Sequence, residues 1–408
     1  MPTPTRIPRL LTFTLASSAI LLVSAGCNRN RFPDVPAGYR EYAYISNGAS
    51  NTVTILDLVY LRQDRTLQVG ANPTGLAASP TRNEVYAVNT QSGSVSVIDA
   101  EANRVAATIP VHRLPYFISV SNTGHRAYVA NSGSNSVSVL DLDHRREIAV
   151  AGAGEQPGLA RISPDNRTLV VTNRGSGSVS IFSVAPYQDP QPNPSQTLHF
   201  RTAFSGCPGA TDAVILPDSS KAFIACSGGH QVMAVSLAAE PGSWAARQNP
   251  SLLTDHLLTL LDVGATPVHL ALKPDGGEIF VSNLGADSIS EISTWTNEVG
   301  GTYPIGNRPV RAVVSRDNGT LWVSNFGADS ISLWSIDDGR LEGSVHTGSA
   351  PDALAFSTDE HLLLAADARS GDVAVIRTQG KQGPALFTML PAGSSPNDIV
   401  VKSFHLKP

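Results

Sequence analysis

The sequence predicts an all-β fold: eight four-stranded antiparallel sheets closed into a ring. Three observations predict it. A hairpin pattern, clearest in Ala127–Leu142 (AYVANSGSNSVSVLDL), recurs along the chain. Counted between Asn47, Asn89, Asn131, Asn173, Cys226, Asn283, Asn325 and Asp367, its copies are spaced 42, 42, 42, 53, 57, 42 and 42 residues apart. Six positions after each of these anchors stands a β-branched apolar residue: Val53, Val95, Val137, Val179, Val232, Ile289, Ile331 and Val373. A fixed period of roughly 40 residues marks a repeat array whose neighbours share one core, so 408 residues need not mean several domains.

Residues 1–26 read as a leader outside the fold. Arg6 and Arg9 precede an apolar run, Leu10–Val23, that is short for a membrane span. Ser24-Ala25-Gly26-Cys27 then resembles a bacterial lipobox. The resemblance implies cleavage before Cys27, lipidation at Cys27, and anchoring to a membrane. Asn28 after the cysteine suggests the outer membrane, with the protein facing the periplasm or the cell surface. Residues 27–40, with Pro33, Pro36 and Gly38, form the tether, and residues 41–403 a single domain.

Each 42-residue unit divides into four short strands. In one unit Ala127–Ala130 is strand B, Ser136–Leu142 strand C and Glu147–Val150 strand D. Strand A, Leu159–Ser163, follows Pro157, and Pro164-Asp165-Asn166 turns into the next B. Short strands separated by turn residues every eight to twelve positions indicate an antiparallel fold. The 34 Gly and 28 Pro fit a chain full of tight turns. Strand C carries Val or Ile on one face and Ser, Thr or Ala on the other, as sheets stacked face to face around an axis require. This is the blade of a β-propeller.

The chain begins on strand B (Tyr42–Ser46) and ends on strand A (Asn397–Val401). The last strand is therefore expected to complete the sheet that the N-terminus begins, leaving no open edge. Prolines before the A strands (Pro73, Pro115, Pro157, Pro267, Pro309, Pro351, Pro396), with an irregular copy near Gly209–Ala210, give eight blades, with seven as the alternative.

These motifs resemble the YVTN β-propeller repeat family of bacteria and archaea. The likeness lies in Pro157, Ser163-Pro164-Asp165, Val171-Thr172-Asn173 and Ser178-Val179-Ser180-Ile181 and their copies from Glu41 to Lys402. It implies a fold far more than a function, and many members of that family have seven blades. No Trp-Asp dipeptide of the WD40 type is present.

Two units are longer, through Pro186–Pro194 (PYQDPQPNP) and Ala239–His256, both in C–D turns. In a propeller, D–A and B–C turns share one face, here called the top, and A–B and C–D turns the bottom. Tether, C-terminus and insertions are thus expected at the bottom.

Cys226 takes the seat held by Asn in six units, and the A–B hairpin brings Cys207 near it, so a Cys207–Cys226 disulfide is expected. The repeated Asn itself reads as a turn-holding residue. The residue two after each A-strand Pro should reach the channel mouth. There Asp212, His269 and Arg311 fall on consecutive blades, with Arg161 on the blade before, and Asp398 and Tyr116 nearby. These six are the candidate ligand-binding residues.

No Gly-x-Ser-x-Gly, His-Glu-x-x-His or phosphate loop occurs, so no catalytic residue is named. His112, His125, His144, His230, His269, His346 and His361 share no repeat position, so no metal site is argued. The absence of Cys-x-x-Cys-His excludes a covalently attached c-type haem, and no cofactor is expected. Without residues 1–26 the formal charge falls from −5 to −7, with no basic run, which makes nucleic acid an unlikely partner. The function expected is binding or scaffolding at the cell envelope through the top face, toward an unknown protein or small molecule. An enzyme of lactonase or haem-d1 oxidoreductase type is the alternative.

Overall fold

A computed structural model describes residues 35–189, 193, 196–380 and 383–406. The leader and Cys27 lie outside them. The chain divides into two units, Met1–Ala37 and Gly38–Pro408. The second consists of eight four-stranded antiparallel sheets. Blade 1 joins Tyr39–Gln68 to the final strand, Pro396–His405. Blades 2 to 8 span Pro73–Pro110, Pro115–Gly152, Pro157–Ser205, Ala210–Asp262, Pro267–Pro304, Pro309–His346 and Pro351–Pro391. The expected B–C–D–A reading holds in each. The ring closes through Tyr39–Asn47 paired antiparallel with Pro396–His405, in register from Tyr39↔His405 to Ser46↔Asp398. The count is eight, not seven.

Strands B and C are buried on both faces, because each blade packs between two others. Strand C of blade 2, SVSVID, is buried from Ser94 to Ile98. Each blade interface has its own apolar core. Between blades 2 and 3, Tyr86, Val88, Val95 and Val97 meet Ile118, Ala127, Val129 and Leu140. The largest contributors stand three residues before the anchors: Tyr44, Tyr86, Tyr128, Phe223, Phe280 and Trp322, all buried. Apolar burial of this kind supplies about 25 cal/mol per Å².

The anchor asparagines clamp the B–C hairpins. The Nδ2 of Asn131 donates to Ser136 Oγ at 3.4 Å and Ser138 Oγ at 2.8 Å. Asn47, Asn89, Asn173 and Asn283 make the same pair of bonds five and seven residues on. The Ser/Thr face of strand C thus serves the hairpin as well as the neighbouring blade.

The top face has a second repeated device, invisible in residue types. The residue ending every D–A turn is left-handed: Asn72, Leu114, Gln156, Gly209, Thr266, Arg308, Ala350 and Ser395, with φ between 47° and 64°. Non-glycine residues rarely adopt this conformation, and a residue before proline ordinarily avoids helical geometry. Hydrogen bonds hold it. Each carbonyl accepts the N–H of the residue after the anchor, as in Thr90 to Asn72 (2.9 Å) and Phe326 to Arg308 (3.0 Å). In five blades a B–C turn side chain also accepts the left-handed residue's own N–H: Asn51, Asn135, His230, Asp287 and Asp329. His230, one of the scattered histidines, thereby has a structural place.

Both insertions lie in C–D turns, between Val184 and Leu198 and between Ser236 and His256. The second holds two short helical segments, Trp244–Gln248 and Pro250–Leu253. Among the described residues no helix is long and apolar enough to cross a membrane.

Blade 8 departs from the clamp. Asp367 takes the Asn seat and pairs across the hairpin with Asp372, where the six Asn-anchored blades have Ser or Thr. Asp367 is fully buried, and its Oδ2 accepts the N–H of Gly348 at 3.1 Å. Burial first, then the neighbouring charge of Asp372, pushes its carboxyl up to about 8. The folded protein therefore binds a proton that the unfolded chain releases near pH 4, so this site loses stability as pH rises from about 4 to 8. Asp367→Asn restores a neutral donor. Thermal melts are expected to show the variant several degrees more stable at pH 9 and close to the parent at pH 5. An equal difference at both pH values would refute the assignment.

Candidate functional site at the channel mouth

The A strands line the central axis, and each is irregular at its start. The register slips after Pro157, Ala210, Pro267, Pro309 and their equivalents, one of the uses to which bulges are put near sites. The slip brings one or both of the next two positions of each blade to a cavity at the top of the axis. Its volume is about 320 Å³, and its polar lining includes Tyr116, Arg174, Asp212, Arg311, Asp352 and Asp398.

Four of the six residues expected at the mouth line this cavity: Tyr116, Asp212, Arg311 and Asp398. The other two, Arg161 and His269, meet Asp212. Arg161 Nη2 lies 3.6 Å from Asp212 Oδ1, and His269 Nδ1 lies 2.7 Å from Asp212 Oδ2. Below the mouth the Arg161 guanidinium stacks 5.3 Å over the Phe117 ring and lines a second, deeper cavity of about 390 Å³.

Asp212 and Asp398 sit alike in their blades. Asp212 accepts the N–H of Ala213 (2.9 Å) and, across the blade interface, of Leu270 (3.0 Å). Asp398 accepts those of Ile399 (3.0 Å) and Leu76 (2.8 Å). Both carboxylates brace adjoining A strands, yet their protonation differs. Burial would raise Asp212, but His269, then Arg161 and Arg311, outweigh it and hold it well below the usual carboxylate range. At Asp398 burial wins over Arg311 and the two N–H bonds, and its pKa is raised.

Arg311 and Asp352 differ from these braces. Neither side chain has a hydrogen-bond or ion-pair partner among the described residues, and both face the cavity. Burial works against the Arg311 charge, but Asp398, Asp352 and Asp212 together raise its pKa. Burial raises Asp352 against the opposing pull of Arg311 and His269. Asp352 was not among the residues read from the sequence. It stands one position after Pro351, the register place of Tyr116 after Pro115, and the bulge brings both positions inward. Arg174, at the lip, follows an anchor Asn and was likewise missed.

The cysteines form the expected disulfide, Cys207–Cys226, with Cα atoms 4.7 Å apart. It sits where blade 5 has lost both its proline (Ala210) and its anchor Asn, beside the strand that carries Asp212. Closing such a loop contributes about 3 kcal/mol in chain-entropy terms. Among the described residues, no group of three or more His, Cys, Asp or Glu gathers as a metal site would need.

The chain matches the family described as lactonase, 7-bladed beta-propeller, over residues 43–293 and 291–388. It belongs to that family. The family description names seven blades, and this member has eight. No curated protein matches by sequence. Among solved structures, the dihydro-heme d1 dehydrogenase NirN in complex with DHE is 14% identical, with a TM-score of 0.69, over 93% of this chain and 77% of that one. Candidate 6-phosphogluconolactonases from Bacteroides fragilis and Bacteroides uniformis are 17% and 16% identical, with TM-scores of 0.58 and 0.60. They cover 91% and 89% of this chain and 100% and 99% of their own. At such identities the likeness speaks to the fold alone.

Asp212→Asn removes the charge beside Arg161 and His269. A loss of about 3 kcal/mol in stability at pH 7 is expected from chemical denaturation, since breaking a buried pair strands its partners. Because Asp212 is depressed, its contribution is present above pH 4 and lost as pH falls below it, so the parent should lose more stability than the variant below pH 4. Equal acid sensitivity would count against the pairing.

Proposed function

We propose that the protein is a hydrolase of small cyclic esters, acting at the channel mouth. One observation carries the reading: Arg311 and Asp352, a charged donor and a carboxylate of raised pKa, face one cavity, and neither side chain is partnered among the described residues. Family membership supports it, and it favours the enzyme alternative over a purely binding role.

The chemistry follows from these groups. Asp352 takes a proton from water as the water oxygen bonds to the carbonyl carbon. The negative charge that develops on the carbonyl oxygen is met by the Arg311 guanidinium, whose donors are already oriented and unspent. Collapse of the adduct breaks the ring C–O bond, and the leaving oxygen recovers the proton from Asp352. The product is a hydroxy acid, whose ionisation releases one proton to solvent. Asp212, with Arg161 and His269, acts as a positioning group. It fixes adjoining A strands and adds negative charge that keeps Arg311 protonated.

Proton release from a panel of lactones tests the reading. Arg311→Ala is expected to lower kcat about 10²–10³-fold, and Asp352→Asn a comparable amount, with folding unchanged. Activity should fall on acidification at a pH above the ordinary carboxylate range, because burial raises Asp352. No turnover of any lactone, with hydroxy acids still bound, would return the protein to a binding role.

The YVTN-type repeats and the lipobox-like Ser24-Ala25-Gly26-Cys27 support a further part of the proposal: this is an exported member of its family, tethered to a membrane by lipid on Cys27. The chain enters the propeller at Gly38, on the face opposite the cavity mouth. Detergent partitioning checks the anchor. The full-length protein should enter the detergent phase and Cys27→Ser should not; equal partitioning would exclude lipidation.

A further inference from the structure

The cavity wall is divided by blade. Blades 2 to 4 supply Gly75, Phe117, Gly158 and Leu159, with Thr74, Tyr116 and Arg174, while Asp212, Arg311, Asp352 and Asp398 come from blades 5, 7, 8 and 1. The charged groups that would meet a reacting carbonyl thus occupy one side, and the facing side is aromatic and aliphatic at Phe117 and Leu159. Leu159 is buried and Phe117 is held by the guanidinium of Arg161, so this wall is fixed by its neighbours. Of the polar side chains on this side, Thr74 is engaged with Thr90 Oγ1 and the Tyr116 carbonyl, and Tyr116 and Arg174 are exposed. At Gly158 space is left open: a Cβ there would have Thr172 Oγ1, at 3.9 Å, as its nearest neighbour.

We propose that the site takes lactones with an apolar, ring-bearing body, and not polyhydroxylated sugar lactones. The inference rests on the hydrolase reading. With its carbonyl at Arg311 and Asp352, a bound lactone lays its remaining atoms against Phe117 and Leu159. Hydroxyl groups at those atoms would lose water without finding partners, which weakens binding. An aryl or alkyl body gains by burial instead. Arg174, exposed at the lip, remains free for the carboxylate of the departing product or for a terminal anion.

The test compares dihydrocoumarin, glucono-δ-lactone and γ-butyrolactone on the full protein and on Gly158→Leu. The parent is expected to hydrolyse dihydrocoumarin with a kcat/KM at least about tenfold above that of glucono-δ-lactone. Gly158→Leu fills the apolar half without touching a charged group. It should raise KM for dihydrocoumarin about tenfold and leave γ-butyrolactone, which is too small to reach that wall, unchanged. Preference for glucono-δ-lactone would overturn the inference and leave the hydrolase reading standing, as would a variant that loses γ-butyrolactone equally. If no lactone is turned over, calorimetry with the corresponding hydroxy acids separates the two claims. Tighter binding of the aryl hydroxy acid than of gluconate, abolished by Gly158→Leu, would uphold the ligand class while the hydrolase reading falls. Binding of neither would overturn both.

Discussion

Everything in this protein depends on the pairing of Tyr39–Asn47 with Pro396–His405. These two segments are further apart in sequence than any others in the fold, yet they make one sheet. Once they meet, the number of blades is fixed, and with it the width of the axis and the place of every side chain around it. The last pairs at the top of this seam, Ser46↔Asp398 and Asn47↔Pro396, also deliver Asp398 and Asn397 to the cavity wall. The seam therefore belongs to the site as much as to the scaffold. Loop closure over so long a chain is slow and entropically costly, and it is the shared apolar cores between blades that offset it.

Within the ring, each blade meets two demands at once. In the six blades with an anchor Asn, strand C presents Ser or Thr on the face opposite its β-branched apolar residues. The hydroxyl set is not simply small filler, for it receives the amide of the anchor Asn. The amide nitrogen of such an Asn is satisfied within its own hairpin, while the side-chain oxygens of Asn47 and Asn173 accept the N–H groups of Gly393 and Gly154 in the D–A turns. This is why the copies can be so similar, and why the departures carry information. Cys226 replaces the clamp with a covalent bond, and Asp367 replaces it with a carboxyl that must keep its proton.

Much of this was legible in the residues. The spacing of the anchors and the prolines of the A strands yielded the blade number, the closing strand, the disulfide and four lining residues of the cavity. A repeat announces itself many times, so errors at one copy are corrected by the others. What escaped were features set by backbone geometry. Asp352 was passed over because counting two residues from proline assumes a regular strand, whereas the bulge admits the position before it as well. The left-handed turn residues escaped because Leu114 and Thr266 are poor candidates for that conformation by type, and only the hydrogen bonds around them explain it. The protonation of Asp367 depends on Asp372, a partner five residues away that becomes informative only once both are known to be buried. The reading of function changed in kind: binding at the envelope came from the absence of motifs, and a dispersed site built from one residue per blade leaves no motif to find.

The D–A turns have a consequence for how such a molecule can diversify. Their shape is held by main-chain bonds to the following B–C turn and by one capping side chain, none of which involves the two residues after the proline. Those two residues thus stand outside the bonds that shape the turns, although Asp212 and Asp398 also brace neighbouring A strands. Eight blades each present two such places around one axis, and their occupants set the character of the mouth. Here they happen to read charged on one arc and apolar on the other. The same frame, with different occupants at those places, would hold a different chemistry, so kinship in the repeat says little about what two such rings have in common at their mouths.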